Sequence, residues 1–181
     1  RRWSDLRTEY LLEQEVELIL SALTDTNRLV MRTALQTGLR VGDVLALKPD
    51  RLKPHFWVTE QKTGKARQIG LPEPLLSDLK KHAGQLWVFP GRNPRKHHTR
   101  QAVWKDVKRA AEAFRLKQNV GPHSARKVYA VELRKKYGDI DRVMRALNHS
   151  SESVTLIYAM ADAQLEAKYK RRRSRPGRKK S

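Results

Sequence analysis

The chain has 181 residues, with 39 Lys or Arg against 19 Asp or Glu and a formal net charge of +20. That length fits one domain and is enough to bury most of the apolar surface of the unfolded chain. The charge makes a phosphate polyanion the default partner, and the absence of cysteine excludes a disulfide framework and a thiolate metal site while allowing an intracellular setting.

Residues 8–23, "TEYLLEQEVELILSAL", carry apolar residues at helical spacing behind Thr8 as a cap, and predict a first helix. A second covers "DTNRLVMRTALQ", starting at Asp25. "TGLR" interrupts the pattern and "VGDVLAL" resumes it, which predicts a turn at Gly38 and a short helix ending before Pro49. Between 55 and 71 the period changes: "HFWVTEQKTGKARQIGL" reads as two strands joined around Thr63 and Gly64, a β-hairpin with Lys62 at or near its tip.

Helical patterns return in "EPLLSDLKKHAG", followed by the apolar "LWVFP" and a loop over 91–98. Thr99 is placed to cap "RQAVWKDVKRAAEAF", whose apolar face is Ala102, Val103, Val107, Ala110, Ala111 and Phe114. Three further helical pieces follow, "PHSARKVYAVELRKKYG", "DIDRVMRALNH" and "SESVTLIYAM". From Lys168 onward there are nine Lys or Arg and no acid, so the remainder still carries +11. This tail has too little apolar content to fold and is expected to stay mobile until it meets an anion. The fold class expected is mainly α with a small antiparallel β-hairpin.

The six histidines, at 55, 82, 97, 98, 123 and 149, form no His-Glu-x-x-His pattern and there is no cysteine to complete a zinc set, so no metal site is expected. No run of eighteen or more apolar residues occurs and the first twenty residues are too charged for a signal peptide, so no membrane is expected either.

Several short stretches have a bland and a chemical reading side by side. If Pro122 opens its helix, His123 and Arg126 share a face of the first turn, either as a phosphate site or as two solvated surface groups. Arg40 and Asp43 are either a surface ion pair contributing roughly 0 to 1 kcal/mol or an arginine held by a charge-assisted bond. Lys62 is either an ordinary hairpin lysine or a mobile proton donor reaching a DNA groove. Tyr158, nine residues after His149, is either a core aromatic or a nucleophile.

Taken together over 25–160, these segments resemble the tyrosine recombinases, the phage integrases. "TGLRVGD" matches the family's arginine and following acid at Arg40 and Asp43, "EQKTGK" its hairpin lysine at Lys62, and "HSAR" its His-x-x-Arg box at His123 and Arg126. "LNH" is similar to its "LGH" and gives His149, and the tyrosine nine residues later is Tyr158. Lys127 stands where the family often has histidine, and Asn148 where it has glycine.

The resemblance implies a tyrosine recombinase catalytic-domain fold over 1–168, a basic tail at 169–181, and no room in this chain for the helical DNA-binding domain that usually precedes it. It implies cleavage and rejoining of double-stranded DNA through a 3′-phosphotyrosyl bond, without metal or cofactor. Tyr158 would be the nucleophile and His123 its proton acceptor. Arg40, Arg126 and His149 would bind the phosphate, Lys62 would protonate the leaving 5′ oxygen, and Asp43 would support the site. Lys65, Arg67 and Lys127 are expected DNA contacts. A homo-tetramer on synapsed sites, accessory DNA-bending proteins and a bacterial cytoplasm or nucleoid complete the expectation. A type IB topoisomerase, a DNA-binding regulator without chemistry and a basic RNA-associated protein are the competing readings.

Overall fold

The computed structural model describes residues 10–147. Thr8, Asn148, His149, Tyr158, the helical piece "SESVTLIYAM" and the tail 169–181 lie outside the described residues. The described elements are α1 (Glu13–Ala22), α2 (Asp25–Thr37), α3 (Val41–Leu45), a 3₁₀ turn (Pro49–Arg51), β1 (His55–Thr59), β2 (Ala66–Gly70), α4 (Glu73–His82), α5 (Arg100–Ala113), α6 (Pro122–Tyr137) and α7 (Ile140–Ala146). The mainly helical class with one antiparallel hairpin is therefore observed, and no described helix is long and apolar enough to cross a membrane.

α2 is the central element, because its stripe of Leu29, Val30, Met31 and Ala34 is buried and it packs against α1, α3, α4, α5 and α6. It stops at Gly38, whose φ of 64° is the left-handed conformation that glycine adopts without a Cβ clash. The main core joins that stripe to Leu45, Phe56, Ile69, Leu76, Leu79, Val103 and Val107 from the elements around it. Ala130, Val143 and Leu147 make a smaller cluster between α6 and α7.

The first helix begins later than its periodicity suggested. Tyr10 and Leu11 are not helical, and Leu12 is the cap, its N–H donating back to Glu15 Oε2 at 2.8 Å. The cap on α5 is the expected one, with Thr99 Oγ1 accepting from Ala102 N at 3.1 Å. Phe114, expected on the apolar face of α5, sits past its end and is exposed.

In the hairpin, β1 and β2 pair with Phe56 opposite Ile69 and Val58 opposite Arg67. The two-residue alternation sends Phe56, Val58 and Glu60 inward from the first strand and its continuation, and Arg67 and Ile69 inward from the second, all on one face. Bonds from Glu60 N to Lys65 O at 3.0 Å and from Gly64 N to Glu60 O at 2.8 Å close the loop that carries Lys62.

Candidate active site

Four separate parts of the chain converge on one cleft of about 390 Å³, lined by Arg40, Val41, Gly42, Asp43, Gln61, Lys62, Arg100 and His123. Arg40 comes from the start of α3, Lys62 from the hairpin tip, and His123 from the first turn of α6, which Pro122 opens as expected. The cleft is cationic: among the described residues Arg40, Lys62 and Arg100 line it, with Asp43 as the one acid. Arg100 carries no motif signal, being the first residue of α5 and sixty positions beyond Arg40.

Behind the cleft lies a group that sequence reasoning missed. Glu60 is fully buried, and its carboxylate receives Arg40 Nη1 on Oε2 and Arg67 Nε on Oε1 at 3.2 Å, with Arg126 Nη1 3.6 Å from Oε1. Burial alone would raise the Glu60 carboxyl, but the charges of Arg126, Arg40 and Arg67 outweigh it and hold the group below the ordinary carboxylate range. The alternation of β1 was the available signal, since a carboxylate on the face shared by Phe56 and Val58 has to find a partner.

Two expectations are corrected by this cluster. Asp43 does not hold Arg40: its Oδ1 accepts from Gln61 N at 2.9 Å and so braces the hairpin, while Glu60 takes the arginine. The reason is local, because Arg40 is the extended cap of α3 (φ −67°, ψ 146°) and does not share a helical face with Asp43. Arg67 is not at a DNA surface either. It is buried, and besides Glu60 it donates Nη2 to Thr37 O at 2.7 Å, which makes it a structural cation.

Arg126 is buried on α6 and donates Nη1 to Gly38 O and Nη2 to Leu147 O, each at 2.5 Å. It therefore ties the end of α2, two residues before Arg40, to the end of α7, two residues before His149. His123 stands at the rim of the cleft. Its ring is pushed below the usual imidazole range, first by partial loss of water on its protein side and then by repulsion from Arg126, Arg40, Lys62 and Lys127. A neutral imidazole can accept a proton, so a field that would attract an anion also favours the form of His123 able to act as a base. Lys65 is exposed on the hairpin and Lys127 is half-buried.

Comparison with known proteins extends the same reading along the chain. Residues 9–164 match the Phage integrase family. A probable integrase/recombinase of Bacillus subtilis (strain 168), YoeC, is 30% identical over 155 residues, 82% of this chain and 85% of its own length. A tyrosine recombinase of Thermosipho africanus (strain TCF52B) is 30% identical over 161 residues, 83% of this chain and 56% of its own length. The chain likewise spans 51% of a putative integrase/recombinase of Sinorhizobium fredii and 57% of the XerA tyrosine recombinase of Pyrococcus furiosus, so it corresponds to about half of such proteins.

Among solved structures, the fold is similar to XerA recombinase (TM-score 0.71, 24% identity, 97% of this chain and 67% of that one). It is also similar to a lambda integrase(75-356) dimer bound to a COC' core site (TM-score 0.71, 23% identity, 84% of this chain and 59% of that one). With the family match running through the hairpin, the cationic cleft and the buried arginines behind it, the chain belongs to the phage integrase family, the tyrosine recombinases.

Proposed function

We propose that the chain is the catalytic part of a site-specific recombinase, cutting and rejoining double-stranded DNA through a 3′-phosphotyrosyl bond. The observation that carries this is the convergence of Arg40, Lys62 and His123 on one cleft, with Arg126 tied to Arg40 through Glu60. A phosphodiester repels nucleophiles and gains negative charge as it is attacked, so fixed cations are what the reaction needs. The relatives' names, integrase and recombinase, favour strand exchange over a nicking and closing enzyme or a regulator without chemistry.

In this reading Arg40 binds a non-bridging oxygen from the cleft, Arg126 binds another by exchanging a carbonyl acceptor for the phosphate, and His149 is a further donor. The Tyr158 oxygen forms a bond to phosphorus while its phenolic proton passes to His123, and the bond to the 5′ oxygen breaks as Lys62 supplies a proton. A 5′-hydroxyl from another duplex reverses the step and completes an exchange. Removing either arginine would cost about 2.7–4 kcal/mol of barrier, by analogy with one oxyanion donor.

The catalytic unit is taken as 1–168, with 169–181 gripping the DNA backbone or packing on a neighbouring protomer. Action as a homo-tetramer on synapsed sites, with accessory DNA-bending proteins, in a bacterial cytoplasm or nucleoid, belongs to the same proposal. The test is to mix the protein with supercoiled plasmid, stop with detergent and label the trapped complexes. Free 5′ ends that accept phosphate from a polynucleotide kinase, with 3′ ends blocked to exonuclease, support the reading; blocked 5′ ends or no trapped complex contradict it.

A further inference from the structure

We infer that Glu60 is a positioning residue of the cleavage site: its buried carboxylate sets the orientation in which Arg40 meets the phosphate and couples that orientation to the loop carrying Lys62. This rests on the phosphodiester reading above, and it concerns a residue outside the set that the family resemblance supplied.

Among the described residues, three guanidiniums surround one carboxylate. Arg40 donates to Oε2, Arg67 donates to Oε1 at 3.2 Å, and Arg126 stands 3.6 Å from Oε1. A single buried acid needs one cation for neutrality, so the cluster keeps an excess of two positive charges next to the cleft. That excess is what an incoming phosphate would meet. Without the acid, three like charges would be left to repel one another in a poorly hydrated space.

The three arginines do not depend on Glu60 equally. Arg126 has carbonyl acceptors at Gly38 and Leu147, and Arg67 has one at Thr37. Glu60 is the acid that pairs with Arg40 among the described residues, and the Arg40 side chain is the most exposed of the three, at 16%. Arg40 is thus the arginine that faces the cleft and the one whose direction Glu60 decides.

The same residue closes the hairpin loop. Its N–H binds Lys65 O and its carbonyl accepts from Gly64 N, with Lys62 held between. A displacement of the loop therefore moves the carboxylate and, through it, Arg40.

The experiment compares the parent chain with Glu60→Gln, which keeps the shape and removes the charge, and with Glu60→Asp, which keeps the charge and withdraws it by one methylene. DNA affinity and single-turnover cleavage at saturating DNA are measured separately, and the Arg40 and Arg126 Nε–Hε signals are followed by NMR. Expected for Glu60→Gln is a cleavage loss of about 100-fold, the scale of one mis-set oxyanion donor, with DNA affinity within about threefold. Glu60→Asp, which retains an acid should Glu60→Gln fail to fold, is expected to lose about tenfold. The Arg40 signal should shift and lose protection in both variants while that of Arg126 is largely retained.

A substrate whose 5′ bridging oxygen is sulfur should not restore the rate, because its leaving group removes only the need for Lys62. Rescue by sulfur would place the defect at the lysine and overturn the proposal, as would cleavage within about threefold of the parent in folded variants. If the parent chain forms no covalent product, the phosphodiester reading fails on its own. The arginine signals then decide the geometric claim, and an unchanged Arg40 signal sinks it.

Discussion

Gly38 joins the end of α2 to both buried and cleft-facing arginines, and Gly38→Ala is the perturbation whose cost can be worked out most fully. Its φ of 64° lies where an L side chain is strained by about 1–2 kcal/mol. A Cβ at this position would stand 2.5 Å from Tyr129 Cε1 and 2.9 Å from Cγ, inside any normal contact, and forcing such a group into a packed site costs about 1–3 kcal/mol. Restricting the unfolded chain returns about 0.4–1 kcal/mol. The expected net destabilisation is about 1–5 kcal/mol, read by urea unfolding followed through tryptophan fluorescence. Repeating the substitution in a Tyr129→Leu background should recover the contact part and leave the backbone part, so the two costs separate. Because Gly38 O accepts from Arg126, cleavage should also fall in the single variant. A loss of stability under about 0.5 kcal/mol, or the same loss in both backgrounds, would refute this account of the turn.

Four other predictions follow from named residues. Burial raises the Asp106 carboxyl, but hydrogen bonds from Asn27, Thr24 and Arg109 outweigh it and bring it down from 3.8 to about 2. A depressed folded value gives stability that is complete above the unfolded value and lost as pH falls through about 2, here about 2 kcal/mol at 1.36 kcal/mol per unit. The stability difference between the parent and Asp106→Asn should therefore shrink between pH 4 and 2, and a flat difference counts against it. Lys62→Met removes one of the cations that depress His123, so the His123 ring should titrate at higher pH by NMR; an unmoved titration means that the lysine and the imidazole do not share a field. Lys65→Ala should reduce the salt slope of DNA binding by about one unit. Arg67→Met should leave that slope alone and cost about 1–3 kcal/mol of stability, because Glu60 keeps Arg40 and Arg126 while the buried Thr37 carbonyl loses its donor.

The sequence made the scaffold legible because each element announces itself locally. The change of period at residue 55 reveals the hairpin, Thr99 its helix start, and Gly38 its turn, all from neighbours within a few positions. The candidate site was legible only where a residue type and a spacing coincide, as at His123, which lines the cleft, and Arg126, which is buried. Glu60 and Arg67 escaped as a pair because their contact appears only once the strand register sets Val58 opposite Arg67. Asp43 drew Arg40 by nearness in sequence, yet the extended backbone at Arg40 turns the arginine toward an acid twenty positions away. Arg100 could not be placed in the cleft at all, since only the packing of α5 against α3 brings it beside Gly42.

The central claim, that the cationic cleft serves covalent attack on a phosphodiester, is tested most directly by the fate of Tyr158. The protein would be incubated with supercoiled plasmid and quenched with detergent, the DNA digested, and the Tyr158 peptide weighed by mass spectrometry. The account predicts a nucleotide adduct on Tyr158 that is absent from Tyr158→Phe and strongly reduced in Arg40→Ala. An adduct on another residue, or none under conditions where the chain binds DNA, would contradict it.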